Sequence, residues 1–210
     1  MIKKNWKTLL VTSLIILLPI LAGVILWDHL PEQIPSHWNA AGEVDGWSSK
    51  PFAVFGMPAI LLAVQWLCVF ATGSDPKKAA HSDKMIHLVL WLVPVLNTVL
   101  SLITYATALG QVVLVDVVMP AFVGLLFVII GNYLPKCKQN YTIGIKIPWT
   151  LNSEENWNRT HRFAGWLWVA CGLGIMATSF LGGFEFFFGI ALIMVLAPVI
   201  YSYILHRKGI

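Results

Sequence analysis

Apolar residues fall in long blocks along this chain, separated by short polar segments, and block length predicts the elements. A helix needs about 20 apolar residues to cross roughly 30 Å of hydrocarbon at about 1.5 Å per residue. Leu9 to Trp27 is one such run and Phe52 to Thr72 a second. Ile86 to Leu134 is nearly unbroken. As a single helix it would be about 70 Å long, so it must fold back, and the segment from Ala108 to Asp116 is where it can. Phe163 to Leu205 needs the same treatment, with Gly182-Gly183 ahead of Glu185 as the break. The pattern predicts an all-α integral membrane protein of six transmembrane helices.

Composition agrees with the block pattern. Hydrophobic residues make up 58% of the 210 and charged residues 11%, against about 25% charged in soluble domains. Lys3, Lys4 and Lys7 ahead of the first run give it the look of a signal peptide. The run is longer than an h-region of about 7 to 15 residues and no small-x-small site precedes Asp28, so a retained helix is expected. The remaining cations give the orientation, because Lys and Arg stay on the cytoplasmic side of short loops. Lys77, Lys78 and Lys84, then Lys136, Lys138, Lys146, Arg159 and Arg162, then Arg207 and Lys208 fall on the same side as the N-terminal lysines; Lys50 alone does not. Both termini are therefore expected to be cytoplasmic. The opposite face carries Asp28, Glu32, Glu43, Asp45, Asp116 and Glu185.

This topology also accounts for the net charge of +4, whose cations are spread over four short segments rather than gathered into a nucleic-acid footprint. No direct nucleic-acid binding is expected. Cys68, Cys137 and Cys171 form neither a disulfide framework nor a metal-type spacing. The expected organisation is an N-terminal unit, 1–72, with two helices and an outer loop 28–50; a cytoplasmic loop, 73–85; and a unit 86–210 of four helices with a structured inner loop 131–162.

The outer loop is rich in Pro, Asn and Gly. Pro31 and Pro35 hold extended backbone, while Asn39 to Gly42 and Asp45-Gly46 are turn formers, so a compact structured loop is expected. Trp38 and Trp47 suit either the headgroup region or a peptide ligand. His29 and His37 with Glu32, Glu43 and Asp45 could be gathered round a metal, but their spacing matches no defined motif and no metal is expected.

The inner loop is a polar island in an apolar chain, and hydrophobicity alone requires none of it. Pro135 ends the fourth helix, and Lys136 and Lys138 anchor it at the headgroups. Asn140, Gly144 and Pro148 punctuate an extended stretch. Asn152 with Glu155 reads as a capping box for a helix through Trp157, which places Trp157, His161, Gly165 and Trp168 on one face. Trp149 and Trp157 at headgroup depth would make an interfacial elbow; aromatic and Arg residues interleaved with Asn and Thr also suit a docking surface. Thr150, Thr160 and His161 do not form a nucleophile, base and orienting acid with interpretable spacing, so no enzyme chemistry or cofactor is expected. Within the spans, Gln65, Asn97, Thr98, Ser101 and Thr104 should face other helices, and Ala170, Gly174 and Thr178 form a small-residue stripe for close packing.

Gly131, Asn132, Tyr133, Pro135, Lys138, Asn140, Tyr141, Gly144, Ile145, Lys146, Pro148, Trp149, Thr150, Leu151, Trp157, Thr160, Arg162 and Gly165 together resemble the signature of the SdpI family of bacterial membrane immunity proteins. Leu30, Pro31, Ile34, Pro35, His37, Trp38, Asn39, Gly42 and Asp45 resemble the domain of unknown function that often precedes it. The departures are Lys146, where Arg is usual, Ile147 in place of Thr, and Gln139 where Pro is frequent. Lys lacks the bidentate fork of Arg, so an anion contact at 146 would be altered.

The resemblance implies a multi-pass protein of the bacterial cytoplasmic membrane that protects against a secreted peptide toxin at the outer face. In the founding system the loaded protein also sequesters a winged-helix autorepressor at the inner face. On this reading His37, Trp38, Asn39, Gly42, Asp45 and Trp47 are candidate ligand contacts. Asn132, Pro135, Lys138, Asn140, Tyr141, Gly144, Lys146, Pro148, Trp149, Thr150, Trp157, Thr160 and Arg162 are candidate docking residues, with membrane lipids as further partners. The rival readings are a small transporter or channel, which would show flux dependent on Asn97 or Asp116, and a membrane enzyme using His37 or His161.

Overall fold

The computed structural model describes residues 2–181 and 184–210. It is predominantly helical: α1 (Ile2–Ile25), α2 (Met57–Gly73), α3 (Asp83–Ala108), α4 (Val115–Tyr133), a short α5 (Pro148–Asn152), α6 (Glu154–Ser179) and α7 (Phe184–Arg207). Among the described residues, five segments are long and apolar enough to cross a membrane: Lys3–Ile25, Phe52–Gly73, Asp83–Ala108, Val115–Lys136 and Phe186–Arg207. α6 differs because its first turns, Glu154 to Arg162, are polar and it becomes apolar only from Phe163. The long third block breaks where expected, with α3 ending at Ala108 and α4 beginning at Val115. The Gly182-Gly183 break lies outside the described residues.

The chain forms two compact units, residues 1–73 with 86–115 and residues 74–85 with 116–210. In the first, Leu9, Val69, Ile86 and Leu90 make one apolar cluster, flanked by polar side chains that cross between helices. Gln65 Nε2 donates to Thr12 Oγ1 at 2.8 Å, Asn97 Nδ2 to the Ile16 carbonyl at 2.9 Å, and the Tyr105 hydroxyl to the Pro19 carbonyl at 3.0 Å. In hydrocarbon an unpaired polar group is costly, so each such bond fixes a helix pair. Thr98 instead bonds back to the Pro94 carbonyl of its own helix.

The 28–50 loop adds β structure to the expected all-helical architecture. β1 (Gln33–Trp38) and β2 (Val44–Ser49) form an antiparallel hairpin with irregular register at His37. Its turn is built by Asn39, whose side-chain oxygen accepts from the Ala41 and Glu43 amides, while Gly42 takes φ 75°. The Asp45-Gly46 pair, expected to turn, lies inside β2: one Asx turn suffices, and Gly46 is needed because a Cβ there would sit 2.9 Å from His37 Cβ. Leu30 and Ile34 bury against Ala53, Val54 and Tyr105, pinning the hairpin to its helices.

Lys50, the one cation on the acidic side, is buried. Its Nζ pairs with Glu32 at 2.9 Å, donates to the Trp27 carbonyl just beyond the end of α1, and lies 5.2 Å from the Trp27 ring centroid. A cation at a helix C-terminus complements the macrodipole, so this exception to the charge asymmetry is a structural tie.

In the second unit α4 and α6 approach at backbone distance. A Cβ on Gly124 would lie 2.7 Å from the Gly172 carbonyl oxygen, and one on Gly172 would lie 2.6 Å from that of Gly124. One turn-pair further along, Gly131 and Gly165 are reciprocal in the same way at 2.9 and 2.8 Å, and Gly165 also receives the Pro135 ring. The expected close-packing stripe of Ala170, Gly174 and Thr178 is not this contact. A Cβ on Gly174 would meet only Ile190 Cδ1 at 3.9 Å, and Thr178 bonds to the Gly174 carbonyl of its own helix. Spacing by four identified the wrong face because the true pairs are seven residues apart.

Replacing Gly165 with Ala should lower stability by about 1–3 kcal/mol, as overpacking does, while Gly174→Ala should be nearly neutral. Thermal midpoints of the two purified variants check this; equal midpoints would remove the glycine contact as a determinant.

Candidate functional site

The elbow of the 131–162 loop runs from a 3₁₀ turn, Leu134–Lys136, through bends to α5 and α6. Asn140 organises it. Its Nδ2 donates to the Lys138 and Ile143 carbonyls at 2.8 and 2.9 Å, and its Oδ1 accepts from the Thr142 and Ile143 amides at 2.8 and 2.7 Å. Thr150 Oγ1 donates within reach of the Ile145 and Ile147 carbonyls and accepts from the Ile147 amide. Trp157, completely buried, donates Nε1 to the Cys137 carbonyl at 2.7 Å. Thr160 and Ser202 both donate to Asn156 Oδ1, whose Nδ2 donates to the Ser202 carbonyl. The N-cap of α6 is Ser153, which accepts from the Asn156 amide, rather than Asn152, because α5 continues through Asn152.

His161 closes the elbow. Its ring stacks on Trp157 with centroids 4.0 Å apart; Nδ1 lies 2.8 Å from the Trp157 carbonyl and Nε2 accepts from the Ile145 amide at 2.9 Å. The pattern is that of the neutral Nδ1–H tautomer. Burial pushes its pKa down to about 4, against the opposing pull of the Trp157 carbonyl; His161 precedes the apolar stretch of α6. Gly144, at φ 114°, has no room for a side chain, since a Cβ would lie 2.5 Å from His161 Nε2. Burial likewise raises the neighbouring Cys137 thiol to about 11, outweighing the Asn140 contact.

A buried acid ties the elbow to the segment 74–85. Asp75 accepts from the Lys77 amide, the Tyr141 amide and Thr142 Oγ1 at 2.7, 3.0 and 2.8 Å, with His81 Nε2 at 3.3 Å. Burial opposes its ionisation, but these donors and His81 prevail and hold its pKa below the usual carboxylate value. Asp75 and Thr142 address the same nitrogen of His81. That geometry makes a clamp, and it lacks the separate orienting acid and base of a relay. Lys77 Nζ adds a bond to Gln139 Oε1, and Gln139 donates to the Thr150 and Leu151 carbonyls. Nothing in the sequence pattern singled out Asp75 and His81, though an acid among Lys77, Lys78 and Lys84 was a legible signal.

Asn140, Gly144, Thr150, Trp157 and Thr160 are thus turned inward. Trp149 is half-buried against Tyr203 and His206 of α7. Lys138, Tyr141, Lys146 and Pro148 are exposed, with Lys146 bonded to the Thr142 carbonyl. Asn132, Pro135 and Arg162 form a separate group. With Lys136, Tyr133, Trp166 and apolar residues of α4 and α6 they line an open hollow of about 520 Å³ whose floor includes Gly131 and Gly165.

On the hairpin, His37 Nδ1 pairs with Asp45 Oδ1 at 2.5 Å and Asn39 with Glu43 at 3.0 Å, both at the surface. With Glu32 committed to Lys50, the acids once grouped with His37 serve three separate contacts. Trp47 is 57% exposed. Trp38 lines a small cavity of about 120 Å³ between the hairpin and α2 and α3, which Asn97, Ser101, Thr104 and Tyr105 also line.

The elbow's pH dependence follows from His161. An unfolded His takes its proton near pH 6.5 and the folded one only near pH 4. Stability is therefore full above about 6.5 and falls as pH drops towards 4, by at most roughly 3 kcal/mol. The thermal midpoint should drop between pH 7 and pH 4.5, and His161→Gln should remove most of that drop while being less stable at pH 7. A parallel drop in the variant would assign the effect elsewhere; Asp75 acts only at lower pH, below its ordinary value of 3.8.

Residues 136–202, which contain most of this elbow, match the SdpI/YfhL protein family, and residues 14–62 match a domain of unknown function, DUF1648. No solved structure matches the chain. The chain is 30% identical to the immunity protein SdpI of Bacillus subtilis (strain 168) over 200 residues, 95% of this chain and 92% of that one. Similarity sustained across both units and the helices of each makes this multi-pass membrane protein a member of the SdpI family.

Proposed function

We propose that the chain is an immunity protein of the bacterial cytoplasmic membrane, with six spans and both termini inside, that protects the cell against a secreted peptide toxin. The observation that carries this reading is the likeness over nearly the whole chain to a protein named for immunity. The charge asymmetry supports the orientation, and α6 supplies the sixth span through its apolar stretch from Phe163.

First contact with the toxin falls to the hairpin. It is held rigid by its buried Leu30 and Ile34 and presents His37, Asp45 and Trp47 outward. A preorganised edge with an exposed indole lowers the ordering cost of binding. Trp38, Asn39 and Gly42 support that surface from below and at the turn. The cytoplasmic output, sequestration of a winged-helix repressor, would use the exposed Lys138, Tyr141, Lys146 and Pro148, since the inward side chains have their hydrogen bonds committed. Asn97, whose amide is bonded to α1, acts as a tie between helices rather than as part of a conduction path.

Expressing the chain in a sensitive strain and challenging it with a panel of secreted peptides tests this. Protection should appear against at least one peptide, fall at least tenfold in survival with His37→Ala and Trp47→Ala together, and persist with Tyr141→Ala and Lys146→Ala. No change in survival for any peptide, at confirmed membrane expression, would overturn the immunity reading.

A further inference from the structure

The hollow on α4 and α6 differs from the elbow in one physical respect: its polar side chains are not used by the fold. Lys136 and Arg162 are exposed and enter no salt bridge among the described residues, and Lys136 only lies over the Tyr133 ring at 5.1 Å. The neighbouring Arg159, by contrast, is paired with Glu155. Two free cations therefore stand at one end of a concave surface of about 520 Å³, within the range of true ligand pockets of about 300–1,000 Å³.

The remainder of the hollow is hydrocarbon. Val128, Ile129 and Val169 line it, and Trp166, 74% exposed, forms its edge. Gly131 and Gly165, whose backbones meet where α4 crosses α6, also line it. Arg162 and Trp166, one helical turn apart, also line a second hollow on the other flank of α6, with Phe163 and Tyr201. Asn158 and Arg159 line one part of that second hollow, and Phe163, Trp166 and Tyr201 give it an aromatic wall. A guanidinium between an apolar groove and an aromatic wall matches an anion that carries two hydrocarbon chains. Arg binds phosphate bidentately, and basic pockets between helices at the cytoplasmic side suit acidic headgroups.

We propose that this hollow is a site for one anionic phospholipid of the leaflet on the lysine-rich side. Its phosphate is held between Lys136 and Arg162, one acyl chain lies against Val128, Ile129 and Val169, and the other lies across Trp166 towards Tyr201. The bound lipid completes the surface left open by the α4–α6 glycine contact. The site is distinct from the ordinary annulus in being concave and selective for charge.

Native mass spectrometry of the full chain in detergent, titrated with palmitoyl-oleoyl phosphatidylglycerol or the matching phosphatidylcholine, tests the site. Phosphatidylglycerol should remain bound under activation that strips phosphatidylcholine. Loss of each cation should weaken it about fivefold, so the Lys136→Gln, Arg162→Gln pair should weaken it about 25-fold. Val169→Trp, which fills the hollow and leaves both cations, should also displace it. Thermal midpoints without added lipid verify that the variants remain folded. Equal retention of the two lipids, undiminished phosphatidylglycerol binding in the double variant, or equally effective competition by soluble glycerol phosphate would each overturn the proposal.

Discussion

Backbone contact between α4 and α6 is the constraint on which the second unit is built. Gly124 with Gly172 and Gly131 with Gly165 bring two helices to a separation at which neither tolerates a methyl group. Because lipid tails are as apolar as leucine, helices in a membrane gain little from burying apolar surface, and close van der Waals approach becomes the main source of cohesion. The same contact seats the Pro135 ring on Gly165 and so fixes the point at which the chain leaves α4. From that point the elbow has only a short path back to α6.

Within that path hydrogen bonding replaces apolar burial as the organising force. Asn140 gathers four backbone partners, Trp157 and His161 take three more, and Asp75 reaches in from a segment far away in sequence. An irregular backbone buried within the protein has little water with which to satisfy its amides, so side chains of the right reach must do so. This explains why a polar island persists in a chain that is 58% hydrophobic. It also explains the neutral His161, which accepts at one nitrogen and donates at the other and would lose the accepted bond if protonated.

Much of the helical layout was legible in the sequence, because span length is set by bilayer thickness and needs no tertiary information. The break between α3 and α4 followed from length alone. What could not be read was partner choice. The hairpin arises from cross-strand pairing and from Asn39 closing its own turn, so the neighbouring Asp45-Gly46, an equally good turn by composition, entered a strand. The glycine contact was missed because a four-residue spacing drew attention to Gly174, while only the facing helix reveals which glycines meet. In the candidate site the residue list was visible and its division was not: Asn140 and Trp157 look as available as Arg162 until their bonds are traced.

That division bears on how such proteins diverge. Side chains fastened into the elbow are constrained by the fold itself, whereas His37 and Trp47 stand on a hairpin whose stability rests on Leu30, Ile34 and the Asn39 turn. Under the immunity function proposed above, two chains could keep the elbow intact and still recognise unrelated peptides. The recognisable signature would then record shared ancestry of a scaffold, and the history of encounters with toxins would be written at the hairpin tip.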